Sequence, residues 1–301
     1  MDAKLKQGES GTHGARRITR RRIKAALRTL GPNQTDDSSI HAARKDLKKA
    51  RATLRLLREA LGKSTYNKEN AALRDAARPL SEARDGRVLL DALSSLVKYY
   101  GAPAAKLPLG DFKRALTRRR TQARKRVLGK AGPLRYARKT LRKVRSRSDD
   151  WDVGRHGWSV LGAGLKRTYT KGRNAFRRAK AQPTNENLHE WRKQTKYFWH
   201  QLQLFEALGP ESRVAESADL AHKVEDFLGD DHDLAVLGER AEEARNSFPN
   251  ATSREALLKL IERCRAGLQQ KAIQLGLRLY EQRPAIFTAR IEKCWREWRA
   301  G

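Results

Sequence analysis

Between residues 40 and 61 two stripes run side by side at helical spacing. Ile40, Ala43, Leu47, Ala50, Leu54, Leu57 and Leu61 recur three and four apart, and His41, Arg44, Lys48, Arg51, Arg55 and Arg58 recur the same way one position later. A helix of 3.6 residues per turn gathers each set onto one face and separates the two by about 100°. A strand, with period two, would scatter both sets over its two faces. The segment has to be a helix whose apolar side enters a bundle core and whose flank holds only His, Lys and Arg. Carboxylates elsewhere cannot neutralise that flank. The 301 residues hold 66 Lys plus Arg against 34 Asp plus Glu, so at least 32 bases have no acid of their own. This excess opposes compaction by self-repulsion and predicts a polyanionic partner: nucleic acid, an anionic membrane surface, or a polyphosphate.

The rest of the chain is written in the same style. Ala, Leu, Arg, Lys and Glu dominate, strand-like alternation is nearly absent, and Gly and Pro fall at helix-length intervals. Helices are predicted near 13–30, 38–61, 66–84, 86–100, 111–129, 133–147, 157–181, 185–208, 211–228, 232–246, 253–282 and 285–299. The fold class is all-α. No apolar run approaches the ~20 residues of a membrane-spanning helix, and MDAKLKQGESG has no apolar segment of a secretory signal. Residues 1–12 are expected to form a disordered tail. Cys264 and Cys294 show neither metal-ligand spacing nor a disulfide framework, which suits reduced thiols in the cytoplasm. Charge is segregated: residues 211–263 carry thirteen acids and seven bases, a net of −6, so the remainder carries +38. Such a partition points to a defined basic region.

The chain also repeats itself. IHAARKDLKKARATLRLL (40–57) matches LHEWRKQTKYFWHQLQLF (188–205), pairing His41 with His189, Arg44 with Arg192, Lys45 with Lys193 and Lys48 with Lys196, each 148 residues apart. LSEARDGRVLL (80–90) matches LGDDHDLAVLG (228–238) at the same offset, with Asp85 on Asp233. Two blocks sharing one offset predict a duplicated helical unit, with halves near 13–147 and 157–299 forming one domain over 13–299. The second copy keeps only the first part of the basic stripe, because Trp199, Gln203 and Glu206 follow Lys196.

In both copies the His-x-x-Arg-Lys-x-x-Lys block sets an imidazole, a guanidinium and an ammonium on one helix face. Arg matches phosphate oxygens bidentately and Lys adds a mobile point charge. The candidate anion-binding residues are His41, Arg44, Lys45, Lys48, Lys49, Arg51 and Arg55 in the first copy, and His189, Arg192, Lys193 and Lys196 in the second. Residues 111–150 hold sixteen Lys or Arg and no acid between Asp111 and Asp149. They read as a helical pair flanking the same surface, with Arg118, Arg119 and Lys125 as candidates, or as a disordered basic arm. Arg167, Lys171, Arg173 and Arg177 are candidates for further phosphate contacts, or are simply exposed. Asp230, Asp231, His232 and Asp233 raise a metal question, since adjacent His-Asp marks a helical family of metal-dependent phosphohydrolases. No clear downstream Asp follows, and the first copy has Arg84-Asp85 in that place. Asp85 and Asp233 are read as helix N-caps or as partners orienting a His or Arg. LHEWRK has Lys193 where a zincin helix needs its second His, and no phosphate-binding glycine loop or nucleophile elbow is present. Neither a metal nor a cofactor is expected.

A duplicated all-α unit with a His-x-x-Arg start, basic residues seven, eight and ten positions later and a following Leu-(Gly)-x-x-x-Asp block resembles the CHAD family, the conserved histidine α-helical domain. The resemblance extends over nearly the whole chain, including the closing LYEQRPAIFTARIEKCWREWR. His41, Arg44, Lys48, Lys49 and Arg51 fit fully, as do His189, Arg192 and Lys196, whereas Tyr197 and Trp199 stand where basic residues are expected. The resemblance implies antiparallel helical bundles, in two pseudo-symmetric halves, around a basic surface or central pore. It also implies non-catalytic binding of inorganic polyphosphate and association with polyphosphate granules. An architectural nucleic-acid binder without sequence preference is the rival reading, and a phosphohydrolase using His232 and Asp233 is the third.

Overall fold

A computed structural model describes residues 4–31, 36–129, 132–154 and 156–301, with the side chains of 82–85 outside the description. The described residues form eleven α-helices and three short 3-10 turns, with no strand among them. The helices are α1 (Gly11–Thr29), α2 (Asp37–Leu56), α3 (Arg58–Tyr100), α4 (Ala102–Ala105), α5 (Gly110–Leu128), α6 (Pro133–Arg147), α7 (Trp158–Ala181), α8 (Asn185–Leu202), α9 (Val214–Glu243), α10 (Ala251–Leu279) and α11 (Pro284–Ala300). Among the described residues no helix is long and apolar enough to cross a membrane.

The two His-led helices begin alike. The Asp36 carboxylate accepts the Ser39 N–H at 2.8 Å, and the Thr184 hydroxyl accepts the Asn187 N–H at 3.2 Å. Each cap stabilises its helix by about 1 kcal/mol and fixes where the first turn starts. His41 and His189 therefore fall at the same depth, the fifth residue of α2 and of α8.

Two apolar cores hold the helices. The larger takes in α1, α2, the first part of α3, α6, α7, α8, the first half of α9, and α11, with Trp191, Tyr169, Phe198 and Phe205 among its largest side chains. Tyr169 stacks on Phe287 with ring centroids 4.3 Å apart. The smaller joins Leu89, Leu93 and Leu96 of α3 to Phe112 and Leu116 of α5, Leu234 and Leu237 of α9, and Leu257 and Ile261 of α10. Each core draws on residues from both predicted halves. The long helices α3 and α9 run from one core to the other, and their polar middles lie between.

Several boundaries differ from expectation. Residues 66–100 form one helix that continues back to Arg58 across a break at Gly62 (φ 71°), and residues 214–243 are continuous through the Gly229-Asp230-Asp231 stretch. The segment 203–208 is 3-10 rather than α. Of the expected tail, residues 1–3 lie outside the described residues, and 4–12 are anchored at several points although Lys4, Lys6, Gln7 and Gly8 are exposed. Leu5 is buried, the Gln7 amide donates to the Trp298 carbonyl at 2.7 Å, and Ser10 caps α1.

Candidate functional site

The stripes of α2 divide as their spacing requires. Ile40, Ala43, Leu47, Ala50 and Leu54 are buried in the larger core. The cationic flank then has one direction left, toward α8, which packs beside α2 and is tied to it by the buried Gln201 amide donating to the Ala52 carbonyl at 2.9 Å. The basic face of α8 turns the same way. Between them and α9 lie two adjoining cavities, of about 800 and 280 Å³. Arg44 and Lys48 of α2, Arg192 and Lys196 of α8, and Asp233 of α9 wall both.

The larger cavity is closed by α3 and α5. Beyond the shared residues its wall holds Arg51, Arg119, Arg126, Lys193 and Arg240, the imidazoles of His189 and His232, and Tyr197. Among the described residues Asp233 is its one acid. α5 reaches this position because Asp37, in the first turn of α2, pairs with both Arg120 and Arg124. It also crosses α3 closely at Gly86, where an added Cβ would stand 2.6 Å from the Arg120 Cβ. The smaller cavity adds His41, Lys45, Trp199 and His200, and three acids, Glu225, Asp226 and Asp230. Glu225 accepts from Arg192 Nε at 3.2 Å and pairs with Lys196.

So many cations in a partly buried space disturb one another's protonation. Burial first, then Lys196, Arg44 and Arg192, push the Lys48 ammonium down to about 6. Burial also depresses Lys196, with Glu225 working against it. His189 is lowered by burial and then by Arg192 and Lys193, and His232 is lowered to about 4 by burial and then by Arg192. The two rings lie 5.0 Å apart, centroid to centroid. Burial would raise the Glu225 carboxyl, but Lys196 and Arg192 overcome it and hold it below the usual range. Asp226 and Asp230 are raised, chiefly by burial.

Of the expected anion-binding residues, the structure brings His41, Arg44, Lys45, Lys48, Arg51, Arg119, His189, Arg192, Lys193 and Lys196 into these walls. It places the others elsewhere. Lys49 faces α1, beside Arg22 and Asp46. The Arg55 guanidinium lies 3.8 Å above the Tyr197 ring and donates to Asn70 at 3.0 Å. Arg167 pairs with Glu59, Arg173 donates to the Tyr280 carbonyl at 3.0 Å, Lys171 sits beside Arg58, Arg55 and Arg167, and Arg177 is exposed on α7. Arg118 and Lys125 wall neither cavity. Neither Asp85 nor Asp233 caps a helix, because α3 and α9 run through these positions. Asp233 does lie in both cavity walls, and the side chain of Asp85 is outside the described residues. Sequence reasoning passed over Arg126, Arg240 and Glu225. Arg126 follows Arg119 by seven residues and Arg240 follows Asp233 by seven, which is the same helix face in each case. Glu225 gave no comparable signal. The adjacent His232-Asp233 pair stays together in the larger wall, whereas the buried Asp231 before it accepts from Arg265 Nε at 2.9 Å and Gln269 at 2.8 Å.

Comparison with known proteins agrees with this architecture. The sequence model of the CHAD domain family matches residues 15–242. The CHAD domain from the plant Ricinus communis superposes with a TM-score of 0.58 at 13% identity, covering 96% of this chain and 94% of that one. PptA from Streptomyces chartreusis gives 0.61 at 15% identity, covering 91% and 100%. Among curated proteins none matches this chain. At such identities the two structures speak for the fold alone.

Proposed function

The chain belongs to the CHAD family, and from that premise we propose that it binds inorganic polyphosphate, without turning it over, in the cavities between α2, α8 and α9. One observation carries the reading: both His-led helices turn their basic faces into the same space. Polyphosphate is a flexible chain with a charge on every unit and no bases. Nine Lys and Arg in the larger wall offer it many charge-assisted hydrogen bonds along its length. Affinity comes mainly from charge and counterion release, as with nucleic acid, so it falls steeply with salt. Association with polyphosphate granules would follow from the same contacts.

Nucleic acid fits less well. Among the described residues the one Phe, Tyr or Trp in the larger wall is Tyr197, which is 7% exposed and covered by Arg55, so beside the two imidazoles it offers bases no stacking platform. A phosphohydrolase using His232 and Asp233 would have both side chains in the larger wall, but among the described residues no group of three or more His, Cys, Asp or Glu is placed to hold the metal that chemistry needs. Thermal unfolding tests the reading. Long-chain polyphosphate at a hundred times its Kd is expected to raise the midpoint on the order of 5 °C, and equal phosphate as orthophosphate much less. Equal shifts from both would remove the reading. Duplex DNA displacing the polymer at equal phosphate concentration would transfer it to nucleic acid, and steady phosphate release with added divalent metal would transfer it to an enzyme.

A further inference from the structure

A second basic concavity lies on the far side of α2, along the outer face of α1. Over its 19 residues α1 carries seven Lys and Arg and no acid. A groove of about 700 Å³ runs along it, lined by Arg16, Arg17, Arg20, Arg21, Lys24 and Arg28, with His13, Arg145 of α6, and Glu9 as the single acid. None of these residues walls either cavity described above. The groove is braced rather than loose. Arg17 Nε donates to Glu9 at 2.9 Å, Arg20 pairs with Asp149, and Arg16 donates to the Trp151 carbonyl at 3.0 Å, which fixes its position with no carboxylate against its charge. Side chains already held in place lose less entropy when an anion arrives. Arg22 points the other way, to Asp46 of α2 at 3.0 Å, and sets the rotation of α1 about its axis.

We propose that this groove is a second phosphate-polymer site, and that one polyphosphate chain occupies it and the cavity together. The identity of the polymer rests on the function proposed above; the site itself rests on the groove. Among the described residues no Phe, Tyr or Trp lines it and His13 is its one ring, so nucleic-acid bases would find little to stack on, whereas a chain of bare phosphates needs only the cations. α1 and α2 are packed neighbours, so a chain held at one site has its next segments near the other. Linked contacts of this kind raise affinity for long chains by about 10²–10⁴ over that for a fragment filling one site.

The experiment compares tripolyphosphate with long-chain polyphosphate by isothermal titration at about 150 mM salt, where charges more than about 8 Å apart are largely screened. The groove variant is Arg21→Glu with Lys24→Glu, both exposed. Its control is Lys259→Glu with Arg263→Glu, an exposed pair on α10 with the same change in charge. Wild-type protein and the control should show two classes of tripolyphosphate site. The groove variant should show one, at unchanged affinity, and should lose at least tenfold in long-chain affinity. Unchanged stoichiometry with unchanged long-chain affinity overturns the proposal, as does a loss equal to the control's, or a loss confined to duplex DNA. If the groove variant is unstable to heat, Arg21→Gln with Lys24→Gln gives the deciding measurement. If wild type binds no polyphosphate at all, the functional reading itself has failed. If wild type binds with one site class and no long-chain gain, only the groove has.

Discussion

The two adjoining cavities share their central residues and differ in everything around them. Among the described residues the larger sets nine Lys and Arg against one acid in its wall, and the smaller sets five against four. In the larger space the cations are matched in part, Arg119 and Arg240 by Glu243, Lys193 by Glu190, and Arg192 and Lys196 by Glu225, and a net positive charge remains on the wall. In the smaller, Glu225 already takes up Arg192 and Lys196, and Asp226 and Asp230 stand behind it. A buried ion pair holds geometry rather than adding much net stability. Glu225 therefore fixes two of the shared cations where both cavities meet, and under the proposed function the surplus on the α5 side is what would draw the polyanion. On this view the polymer lies in the larger cavity with its innermost phosphates at Arg44, Lys48, Arg192 and Lys196, and the smaller cavity is the balanced end.

The largest expected effect comes from breaking the shared boundary. Arg192→Glu or Arg44→Glu should lower polyphosphate affinity at least a hundredfold, since truncating one desolvated charged contact costs about 2–5 kcal/mol and reversal adds repulsion. Titration of a folded variant, checked by its melting point, reads this out, and retention of the polymer would show that the boundary is not where it sits. The next effect is on pH. Lys48, held to about 6, is neutral in the empty site above that value, and a polyanion beside it raises its pKa. Binding therefore takes up a proton. Affinity is greatest below about pH 6, where Lys48 is charged with or without polymer, and falls as pH rises above 6, by up to about tenfold per unit for one proton. The depressed His189 and His232 act in the same direction at lower pH. Stability of the empty protein runs the opposite way. The unfolded chain keeps this proton up to about 10.5, so between 6 and 10.5 the unfolded state binds more protons and the contribution of Lys48 to stability rises with pH. Titrations in buffers of different ionisation enthalpy should show the uptake, and Lys48→Met should flatten both slopes. A slope identical in the variant would assign the proton elsewhere.

The sequence disclosed most where structure is local. The α2 stripes and the His-led starts of α2 and α8 depend only on a helical repeat and a cap, and they stand as read. Moved on by 148 residues, the ranges of α1, α2, α3, α5 and α6 overlap those of α7, α8, α9, α10 and α11, while the duplicated unit itself stays an expectation of the sequence. What stayed hidden depends on how helices rotate against each other. Nothing local in α7 says that Arg173 reaches the Tyr280 carbonyl or that Arg167 meets Glu59. The ranges expected from the sequence stop at 228 and restart at 232, and a glycine inside a helix costs about 1 kcal/mol against alanine, yet Gly229 is helical. It lies within α9 because a Cβ there would stand 3.0 Å from Arg192 Nη2, so the glycine makes room for the guanidinium. Glu225 was invisible for the same reason: its meaning comes from α8, not from α9. Tyr197 looked like a lost cation and instead supports Arg55, a cation from the other copy.

Smaller effects sharpen the contrast between the two ends. Asp226→Asn with Asp230→Asn removes two of the acids from the balanced cavity and leaves the shared cations in place. Polyphosphate affinity should rise severalfold at pH 7, and less at low pH, because both carboxyls are shifted toward protonation. An unchanged affinity would mean that the acidic end does not oppose the polymer. The smallest change is Tyr197→Leu. It keeps a buried apolar side chain but removes the ring beneath Arg55, an interaction of about 0.5–2 kcal/mol, and frees Arg51, which shares Asn70 with Arg55 and lies in the larger wall. Because the ring lines the larger wall without a charge of its own and acts through the Arg55 it supports, the expected loss is about threefold and confined to the larger cavity. Paired with Asp226→Asn and Asp230→Asn, it should give additive effects on binding, as sites without shared partners do. Strong coupling between the two would instead join the ends into one continuous path.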